Sequence, residues 1–218
     1  MDKLINLDER LEMCASLVRN SARLVDVGCD HAYLSISLLR SRKISYAIAS
    51  DINEMPLKSG ENNAVKYGID NIEFRLGSGL EAIKPEDRIT DIVIAGMGGE
   101  IISGIIDESP LTRDTGINLV LQPMSKSEEL ISYLYKNGFE ITEQKCVVSK
   151  GKCYTVMSVC YTESSPEIDD TFPYIGKLDL ENETNLRFMK TQLRHLENKS
   201  KGDSSLLNII EKIEQVIK

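Results

Sequence analysis

The chain has 218 residues, 41% of them hydrophobic and 28% charged, with a formal net charge of -8 at pH 7, which fits one full α/β domain and a small appendage. No run of eighteen apolar residues occurs, and the N-terminal segment is neither basic nor followed by an apolar signal core, so we expect a cytoplasmic protein rather than a membrane or exported one. The five cysteines are odd in number and lack C-x-x-C spacing, which disfavours a disulfide framework and a metal site.

Helices and apolar strands are predicted to alternate through most of the chain. An amphipathic helix at about 8–19 comes first, because its apolar side chains recur at helical spacing. Five strands then alternate with four helices, a pattern typical of a parallel, doubly wound sheet. The predicted strands are 24–27, 46–50, 72–76, 91–95 and 119–122, and the predicted helices are 31–40, 56–67, 100–108 and 126–137.

The first strand runs into a tight turn and a helix, in the sequence RLVDVGCDHAYLSISLL at 23–39. Asp26 lies at the end of the strand, and Gly28 follows where the backbone must turn sharply or lie against a ligand. Such a turn presents backbone N–H groups and the positive end of a helix at the carboxyl edge of a parallel sheet, as nucleotide-binding sites do. We predict cofactor contacts from Asp26, Gly28 and Cys29.

The full G-x-G-x-x-G fingerprint of dinucleotide sites is absent from this turn. Asp30 and Ala32 follow Gly28, so a carboxylate occupies the place where phosphates need positive potential. S-adenosylmethionine carries a sulfonium and an ammonium group and no phosphate, so it suits a turn lined with Asp26 and Asp30. The alternative interpretation is that Asp30 only caps the following helix.

The second strand ends at Asp51, about 20 to 25 residues beyond the first turn, where an acidic residue can accept both hydroxyls of an adenosine ribose. NAD would satisfy this feature equally well, and only the turn favours the sulfonium cofactor. Asp51 could instead cap the next helix, although Asn53 could take that position. We predict cofactor contacts from Asp51, Ile52 and Asn53.

Two glycine-rich loops follow the third and fourth strands. Small residues after the third strand let an adenine ring approach the backbone, and Ser78 can accept only an uncharged hydrogen bond from its amino group. Three glycines in four residues after the fourth strand suit a backbone that passes close to a cofactor or a flat ring, with a simple tight turn as the alternative. The predicted cofactor contacts are Gly77, Ser78, Gly79, Ala95, Gly96 and Gly98.

The periodicity changes after Gly138. Residues 140–149 and 153–161 are β-rich, and the three residues between them allow an antiparallel hairpin. A parallel sheet that finishes in such a hairpin is typical of class I methyltransferases, whereas a dinucleotide dehydrogenase more often keeps alternating.

A helical tail is predicted beyond a linker at 164–176, so that residues 1–163 form the cofactor-binding domain and residues 164–218 a C-terminal helical domain. An apolar row is expected to pack against a second helix at 206–217 as an antiparallel pair that turns at 201–204. A basic row beside it would be free for phosphate, with a solvated helix face as the alternative. The apolar row is Leu186, Met189, Leu193 and Leu196, and the basic row is Arg187, Lys190, Arg194 and Lys201.

Five segments in this order, VDVGCDHAYLSI, SDIN, LGSGLE, IAGMGG and LVLQPM, together with the helical tail, resemble the bacterial tRNA (adenine-22-N1)-methyltransferase family, the TrmK group. The resemblance runs through almost the whole chain, and its most specific elements are D-x-G-x-D-H-A-Y-L and A-G-M-G-G. It implies a class I, Rossmann-like methyltransferase fold, S-adenosylmethionine as cofactor, and methylation of adenine N1 in tRNA. Ser78 departs from the family, where Asp is expected.

The implied reaction needs positioning more than a strong base, because adenine N1 has a free lone pair. A carboxylate could hydrogen-bond the adenine amino group and stabilise the cation that N1-methylation creates, and Asp30 is the first candidate. His31 could orient Asp30 or contact the substrate, with a polar helix cap as the alternative, and Met97 could lie against the target base. Since N1 lies on the pairing edge, the base must be unpaired or extruded, and a duplex adenine should be a poor substrate.

Two other functions are compatible with the sequence. One keeps the fold and cofactor but methylates a small molecule, with the tail as a lid or a dimer contact. The other is a noncatalytic module that binds adenosine-containing ligands or RNA, and the carboxylates at Asp26, Asp30 and Asp51 weigh against it. The expected partner is tRNA, without a membrane or a metal, and we expect a monomer.

Overall fold

The computed structural model describes residues 5–217, which form one seven-stranded sheet flanked by helices. The strands lie in the order β3-β2-β1-β4-β5-β7-β6. The first five are parallel, and β7 pairs antiparallel with both β5 and β6, which confirms the predicted fold class. The strands are β1 (Ala22–Val27), β2 (Ile44–Asp51), β3 (Ile72–Leu76), β4 (Asp91–Gly98), β5 (Asn118–Ser125), β6 (Phe139–Ser149) and β7 (Lys152–Tyr161).

Eight α-helices accompany these strands within the described residues. Short 3-10 helices at Pro85–Asp87, Pro110–Arg113 and Ser204–Leu206 complete the connections. The helices are α1 (Glu9–Leu17), α2 (Tyr33–Arg40), α3 (Glu54–Tyr67), α4 (Gly99–Glu108), α5 (Ser127–Lys136), α6 (Phe172–Ile175), α7 (Glu183–Ser200) and α8 (Leu207–Val216).

The central strand β1 is buried on both faces because successive side chains point to opposite sides of the sheet. Val25 and Val27 belong to the apolar core shared with α4 and α5. Leu24 belongs to the core on the other face, which includes side chains of α1 and α2. This double burial explains why the strand reads as a near-continuous apolar run, and it leaves the carboxyl ends of β1 and its neighbours at one edge.

Two element boundaries at that edge differ from the sequence prediction. Helix α2 begins at Tyr33 rather than 31, because Asp30 and Ala32 both have left-handed backbone conformations with φ of +50° and +56°. Strand β4 continues to Gly98 rather than ending at 95, because Met97 and Gly98 still pair with β5 through irregular register. The glycine-rich segment after residue 95 is therefore the irregular end of a strand and not a free loop.

The C-terminal helices pack on the hairpin as well as on each other. The apolar row of α7 packs against the second helix as expected, and Met189 and Leu196 share a cluster with Cys146 of β6 as well as with Ile210 of α8. Phe188, which was not assigned to that row, is buried in the same cluster. The division of the chain at residue 163 stays a prediction.

The segment expected to be a linker is packed rather than extended. It contains α6, whose Phe172 ring lies 4.6 Å from the ring of Tyr135 on α5. Beyond it, the backbone N–H of Lys177 donates to Gln144 Oε1 of β6 at 2.8 Å. The segment predicted as a linker therefore contains a short helix that packs on α5, and the residue that follows it is hydrogen-bonded to the sheet.

Candidate active site

The carboxyl ends of the first three strands meet at one edge of the sheet, as expected for ligand sites in parallel α/β folds. The backbone N–H of Gly28 donates to the carbonyl oxygen of Ser50 at 2.8 Å. The backbone N–H of Gly77 donates to the carbonyl oxygen of Asp51 at 3.0 Å. Three of the segments predicted to bind the cofactor are thus neighbours in space.

The turn after β1 leaves the start of α2 open. Ala32 occupies the N-cap position in a left-handed conformation and offers no capping side chain, whereas Asp26 accepts the backbone N–H of Ser35 in the first turn. Asp30 therefore does not cap α2, and neither does His31, so both alternative interpretations of these residues fail. The N–H groups of Tyr33 and Leu34, which precede Ser35, have no intrahelical acceptor, and at the positive end of a helix such groups favour a negatively charged ligand group.

Gly28 is favoured by its backbone angle, and the flexible end of the Met97 side chain lies against it. Its φ is +69°, and a Cβ atom there would lie 2.3 Å from the Cε atom of Met97. The half-buried Met97 side chain therefore rests on the first turn. Gly96 has a φ of +80°, and a Cβ atom there would lie 4.0 Å from Nη1 of Arg10. The ends of β1 and β4 and the start of α1 consequently close around one space.

That space is a cavity of about 250 Å³. Seven of the residues predicted from the sequence line it, namely Asp26, Gly28, Cys29, Asp30, His31, Ala95 and Gly96. Arg10, Leu11, Tyr33 and Leu34 complete its wall. The other predicted residues lie outside this wall, namely Asp51, Ile52, Asn53, Gly77, Ser78, Gly79, Met97 and Gly98.

Asp26 is a buried carboxylate at the wall of this cavity. Its oxygen accepts a hydrogen bond from the Ser35 hydroxyl at 2.8 Å, and the residue is 5% exposed. Burial raises its pKa to about 6, and the hydrogen bonds from Ser35 oppose that rise only in part. An ionised Asp26 is therefore poorly compensated by the protein, and a cationic ligand group would stabilise it.

Cys29 contributes its backbone N–H group to the structure of the turn, and its sulfur is not reactive. Its side chain is buried, and burial with the nearby Asp26 charge raises the pKa of its thiol well above the usual range. Its backbone N–H donates to the Ser50 carbonyl oxygen at 3.0 Å. The residue therefore stays a neutral thiol and fixes the turn.

Asp51 is half-buried at the end of β2, and its Oδ1 atom accepts the backbone N–H of Asn53 at 2.9 Å. Asn53 occupies the N-cap position of α3, but its side chain makes no capping hydrogen bond. Asp51 does not cap the helix either, because the N–H group that it accepts belongs to Asn53, which precedes the helix. The neighbouring Ile52 is 68% exposed and offers an apolar surface to a flat ring.

The loop after β3 contains an acidic group that sequence reasoning missed. The backbone N–H of Ser78 donates to Oε2 of Glu81 at 3.3 Å. Glu81 thus places a carboxylate on the loop in which Ser78 replaces the expected acid. The signal was present in the segment LGSGLE, where the acidic residue follows Ser78 by three positions.

Arg10 and Gln122 form a second group that sequence reasoning missed. Nη1 of Arg10 donates to Oε1 of Gln122 at 2.8 Å, and the same oxygen accepts the backbone N–H of Gly96 at 3.2 Å. Gln122 is fully buried, and its Nε2 donates to the carbonyl oxygen of Pro123 at 2.8 Å. A buried amide therefore connects α1 to the end of β4, and its only sequence signal is a polar residue in the apolar strand LVLQPM.

Two predicted catalytic residues lie at the mouth of the cavity. Nε2 of His31 is 3.6 Å from Oδ1 of Asp30, and the two side chains are 47% and 74% exposed. The His31 ring lies 5.7 Å from the ring of Tyr33. This cluster presents a carboxylate, an imidazole and an aromatic ring to whatever enters the cavity from solvent.

The basic row of α7 is divided between two locations. Arg187, Lys190 and Arg194 are exposed and line a groove of about 850 Å³ that also contains Lys152 of the hairpin. Lys201 lies outside this groove at the end of the helix, where its Nζ donates to Asn198 Oδ1 at 3.0 Å. The structure therefore brings together three of the four residues predicted to contact RNA.

Residues 5–217 hold no group of three or more histidine, cysteine, aspartate or glutamate side chains placed to bind a metal ion. All five cysteines, which lie within this range, are unpaired. None of the helices described is long and apolar enough to cross a membrane.

A family model described as a methyltransferase domain matches residues 7–157. The chain is also 34% identical over 154 residues to the tRNA (adenine(22)-N(1))-methyltransferase of Bacillus subtilis (strain 168). That alignment covers 70% of this chain and 64% of the Bacillus enzyme, less than two thirds of its length.

Two solved structures superpose on almost the whole chain. The candidate tRNA (m1A22) methyltransferase of Streptococcus pneumoniae, crystallised in complex with S-adenosyl-L-methionine, has a TM-score of 0.87 at 30% identity and covers 98% of this chain and 100% of that chain. The B. subtilis m1A22 tRNA methyltransferase TrmK has a TM-score of 0.82 at 25% identity and covers 99% of this chain and 100% of that chain. These likenesses confirm the resemblance and the fold class expected from the sequence.

Proposed function

Because this chain belongs to the tRNA (adenine-22-N1)-methyltransferase family, we propose that it methylates N1 of an adenine in tRNA, at position 22, with S-adenosylmethionine as the methyl donor. The observation that carries the proposal is the cavity at the first turn. It has a buried, poorly compensated carboxylate in Asp26 and two positive-φ glycines in its wall. These features suit a cationic nucleoside and not a diphosphate.

The residues at the sheet edge fit the separate parts of this cofactor, which supplies a methyl group activated by its sulfonium. Asp26 would hold the ammonium group, and Asp51 would accept the ribose hydroxyls. Arg10 and the N–H groups of Tyr33 and Leu34 at the start of α2 would receive the carboxylate. Glu81 would accept the adenine amino group in place of the missing acid at Ser78.

The target base would reach the cavity at its solvent-facing mouth, where Asp30 and His31 lie. Adenine N1 attacks with its own lone pair, so the protein has to orient the base and stabilise the positive charge that the new methyl group leaves on the ring. Asp30 is an exposed carboxylate beside the mouth and is the residue we assign to that charge. Met97, which rests on the first turn, would contact the base or the cofactor from the β4 side.

The proposal is tested by incubating unmodified tRNA transcripts with labelled S-adenosylmethionine and analysing the nucleosides. We expect 1-methyladenosine from a transcript with adenine at position 22 and none from a matched transcript with guanine there. A transcript whose position 22 is held in a stable duplex should react poorly. Recovery of another methylated nucleoside would contradict the assignment, and the absence of any transfer to RNA would favour a small-molecule methyltransferase.

A further inference from the structure

We propose that the ring of Tyr33 is the surface on which the target adenine stacks, and that this ring stabilises the positive charge which N1-methylation leaves on the purine. The inference rests on the proposed function and adds to it the residue that holds the base. Asp30 would act at the edge of the base through its carboxylate, whereas Tyr33 would act on its face.

Tyr33 is an aromatic residue at the mouth of the cofactor cavity. It lines the cavity and is 38% exposed. Within residues 5–217 it is the only phenylalanine, tyrosine or tryptophan in the wall of that cavity. RNA bases that leave their stack commonly gain an aromatic side chain as a new stacking partner. Tyr33 is therefore placed where an adenine that approaches the methyl donor from solvent would meet a flat apolar surface.

The fold makes little use of this ring. Tyr33 is absent from the apolar clusters that form the core, and its hydroxyl has no hydrogen-bond partner in the part of the chain that the structure describes. Its ring is tilted by 49° to the His31 ring at a centroid distance of 5.7 Å, so the two rings are not stacked on each other. An aromatic ring that the core does not use is available to a ligand.

The position of the ring is fixed by the residues around it. Ala32 is completely buried and Leu34 is 3% exposed, so the chain on both sides of Tyr33 is packed into the protein. The carbonyl oxygen of His31 accepts a hydrogen bond from Nδ2 of Asn63 on α3 at 3.1 Å. A ring held on such a backbone can receive a base with little loss of conformational entropy.

The backbone of the same residue faces the methyl donor under the proposed function. The N–H group of Tyr33 lies at the start of α2, where it would help to receive the carboxylate of S-adenosylmethionine. Tyr33 would then contact the donor through its backbone and the acceptor base through its side chain. Such an arrangement would keep the base beside the donor, because both contacts belong to one fixed position in the chain.

The charge that moves during the reaction gives the ring a second role. The lone pair of adenine N1 forms the new bond to the methyl carbon, and the electron pair of the breaking carbon–sulfur bond stays on sulfur. The positive charge therefore passes from the sulfonium to the purine. The face of a tyrosine ring attracts a cation more strongly than a neutral ring. Tyr33 would thus bind the transition state and the product more tightly than the substrate, and such differential binding raises the rate of the chemical step.

The test measures the single-turnover rate constant at saturating tRNA and S-adenosylmethionine. We expect Tyr33→Leu to lower it on the order of tenfold, because leucine has no π face, and Tyr33→Phe to stay within about twofold of wild type. Affinity for S-adenosylmethionine should be unchanged in both variants. Tyr67→Leu is the matched control, since it makes the same change at a half-buried tyrosine at the end of α3 outside the cavity wall, and we expect the wild-type rate.

A second measurement separates stacking from a structural role. We expect wild-type protein to bind tRNA that carries 1-methyladenosine at position 22 about threefold to tenfold more tightly than unmethylated tRNA, because the methylated base is a cation. This preference should fall in Tyr33→Leu and persist in Tyr33→Phe. A side chain that only supported the fold would change both affinities by the same factor.

A wild-type rate in Tyr33→Leu would overturn the inference. An equal loss in Tyr33→Phe and Tyr33→Leu would overturn it as well, since the hydroxyl and not the ring would then be responsible, and so would a loss confined to affinity for S-adenosylmethionine. Failure of the proposed function is distinguishable, because wild-type protein would then leave no 1-methyladenosine in tRNA, and the inference would fall with it.

Discussion

At the scale of single residues, the proposed role of Asp26 should make cofactor binding depend on pH. Its pKa of about 6 in the free protein means that the carboxyl group becomes protonated in mildly acidic solution, and a neutral acid holds an ammonium group poorly. We expect affinity for S-adenosylmethionine to fall by about tenfold between pH 7 and pH 5, with a much flatter profile in Asp26→Asn. Calorimetric titration of both proteins over this range measures the difference, and parallel profiles would contradict the assignment.

The same shift affects stability with a definite sign. The folded-state pKa of about 6 lies above the ordinary value of 3.8 for an aspartate, so the folded protein binds the proton more tightly than the unfolded chain does. The contribution of Asp26 to the free energy of unfolding is therefore fully present below pH 4 or so and is lost as the pH rises through about 6. A site kept for stability alone would not retain an acid there.

Asp30 should act on turnover more than on binding. Its φ of +50° is a conformation that Asn adopts readily and Ala does not, so Asp30→Asn removes the charge without straining the backbone. We expect the turnover number to fall on the order of tenfold, less than for a fully desolvated group because the side chain is 74% exposed. Cofactor affinity should stay unchanged, and a loss restricted to that affinity would make Asp30 a binding residue.

Gln122 should act as a positioning residue for the end of β4. In Gln122→Met, Arg10 and the backbone N–H of Gly96 both lose their shared acceptor, which should cost about 1 to 3 kcal/mol of stability and weaken cofactor affinity. Gln122→Glu keeps an acceptor oxygen and should restore much of that affinity. Thermal unfolding and cofactor titration of the two variants measure these effects, and equal affinities in both would reduce Gln122 to a packing role.

At the scale of elements, the start of α4 is held very close to the loop before α5. A Cβ atom on Gly99 would lie 2.2 Å from the carbonyl oxygen of Lys126, so Gly99→Ala should destabilise the protein by about 1 to 3 kcal/mol. Gly104 lies in the same helix with no atom within 4 Å of its would-be Cβ, so Gly104→Ala should instead stabilise the fold by up to about 1 kcal/mol. Opposite shifts of the unfolding midpoint are expected, and a neutral Gly99→Ala would contradict the close packing.

An element could be predicted from the sequence where its own residues determine it, and could not where a distant part of the chain does. Strands β1, β2, β4 and β5 could be predicted because burial on both faces makes each of them a largely apolar run, whereas the edge strand β3 is only partly buried. The start of α2 could not, since the left-handed conformation of Ala32 has no signature in its residue type. The end of β4 also depends on a partner, because Met97 and Gly98 pair with β5.

The same distinction applies to the site. Asp26 and Gly28 lie within one short motif and could be recognised from the sequence, and the structure places both on the cavity wall. The contact between Arg10 and Gln122 joins residues 112 positions apart, so no local pattern announces it. The hairpin wall of the groove was missed for the same reason, because Lys152 meets α7 only in the folded chain.

At the scale of the whole molecule, the C-terminal helices should unfold together with the end of the sheet. Met189 is completely buried in the cluster that joins α7, α8 and β6, so Met189→Ala should cost about 2 to 5 kcal/mol. Hydrogen exchange should show that amides of β6 lose protection together with those of α7. Leu207→Ala is the control, since that side chain is 56% exposed, and it should change little. Loss of protection confined to α7 and α8 would instead indicate an independent C-terminal domain.

The position of Arg10 has a consequence for the order of events on this protein. Its guanidinium is part of the wall of the cofactor cavity and also contacts Met124 and Tyr154, which line the groove beside α7. Two ligands that share one side chain cannot each adjust it independently. By thermodynamic reciprocity, the factor by which bound donor changes affinity for RNA equals the factor by which bound RNA changes affinity for the donor. Under the proposed function, a ligand at either site would therefore change affinity at the other through this one arginine.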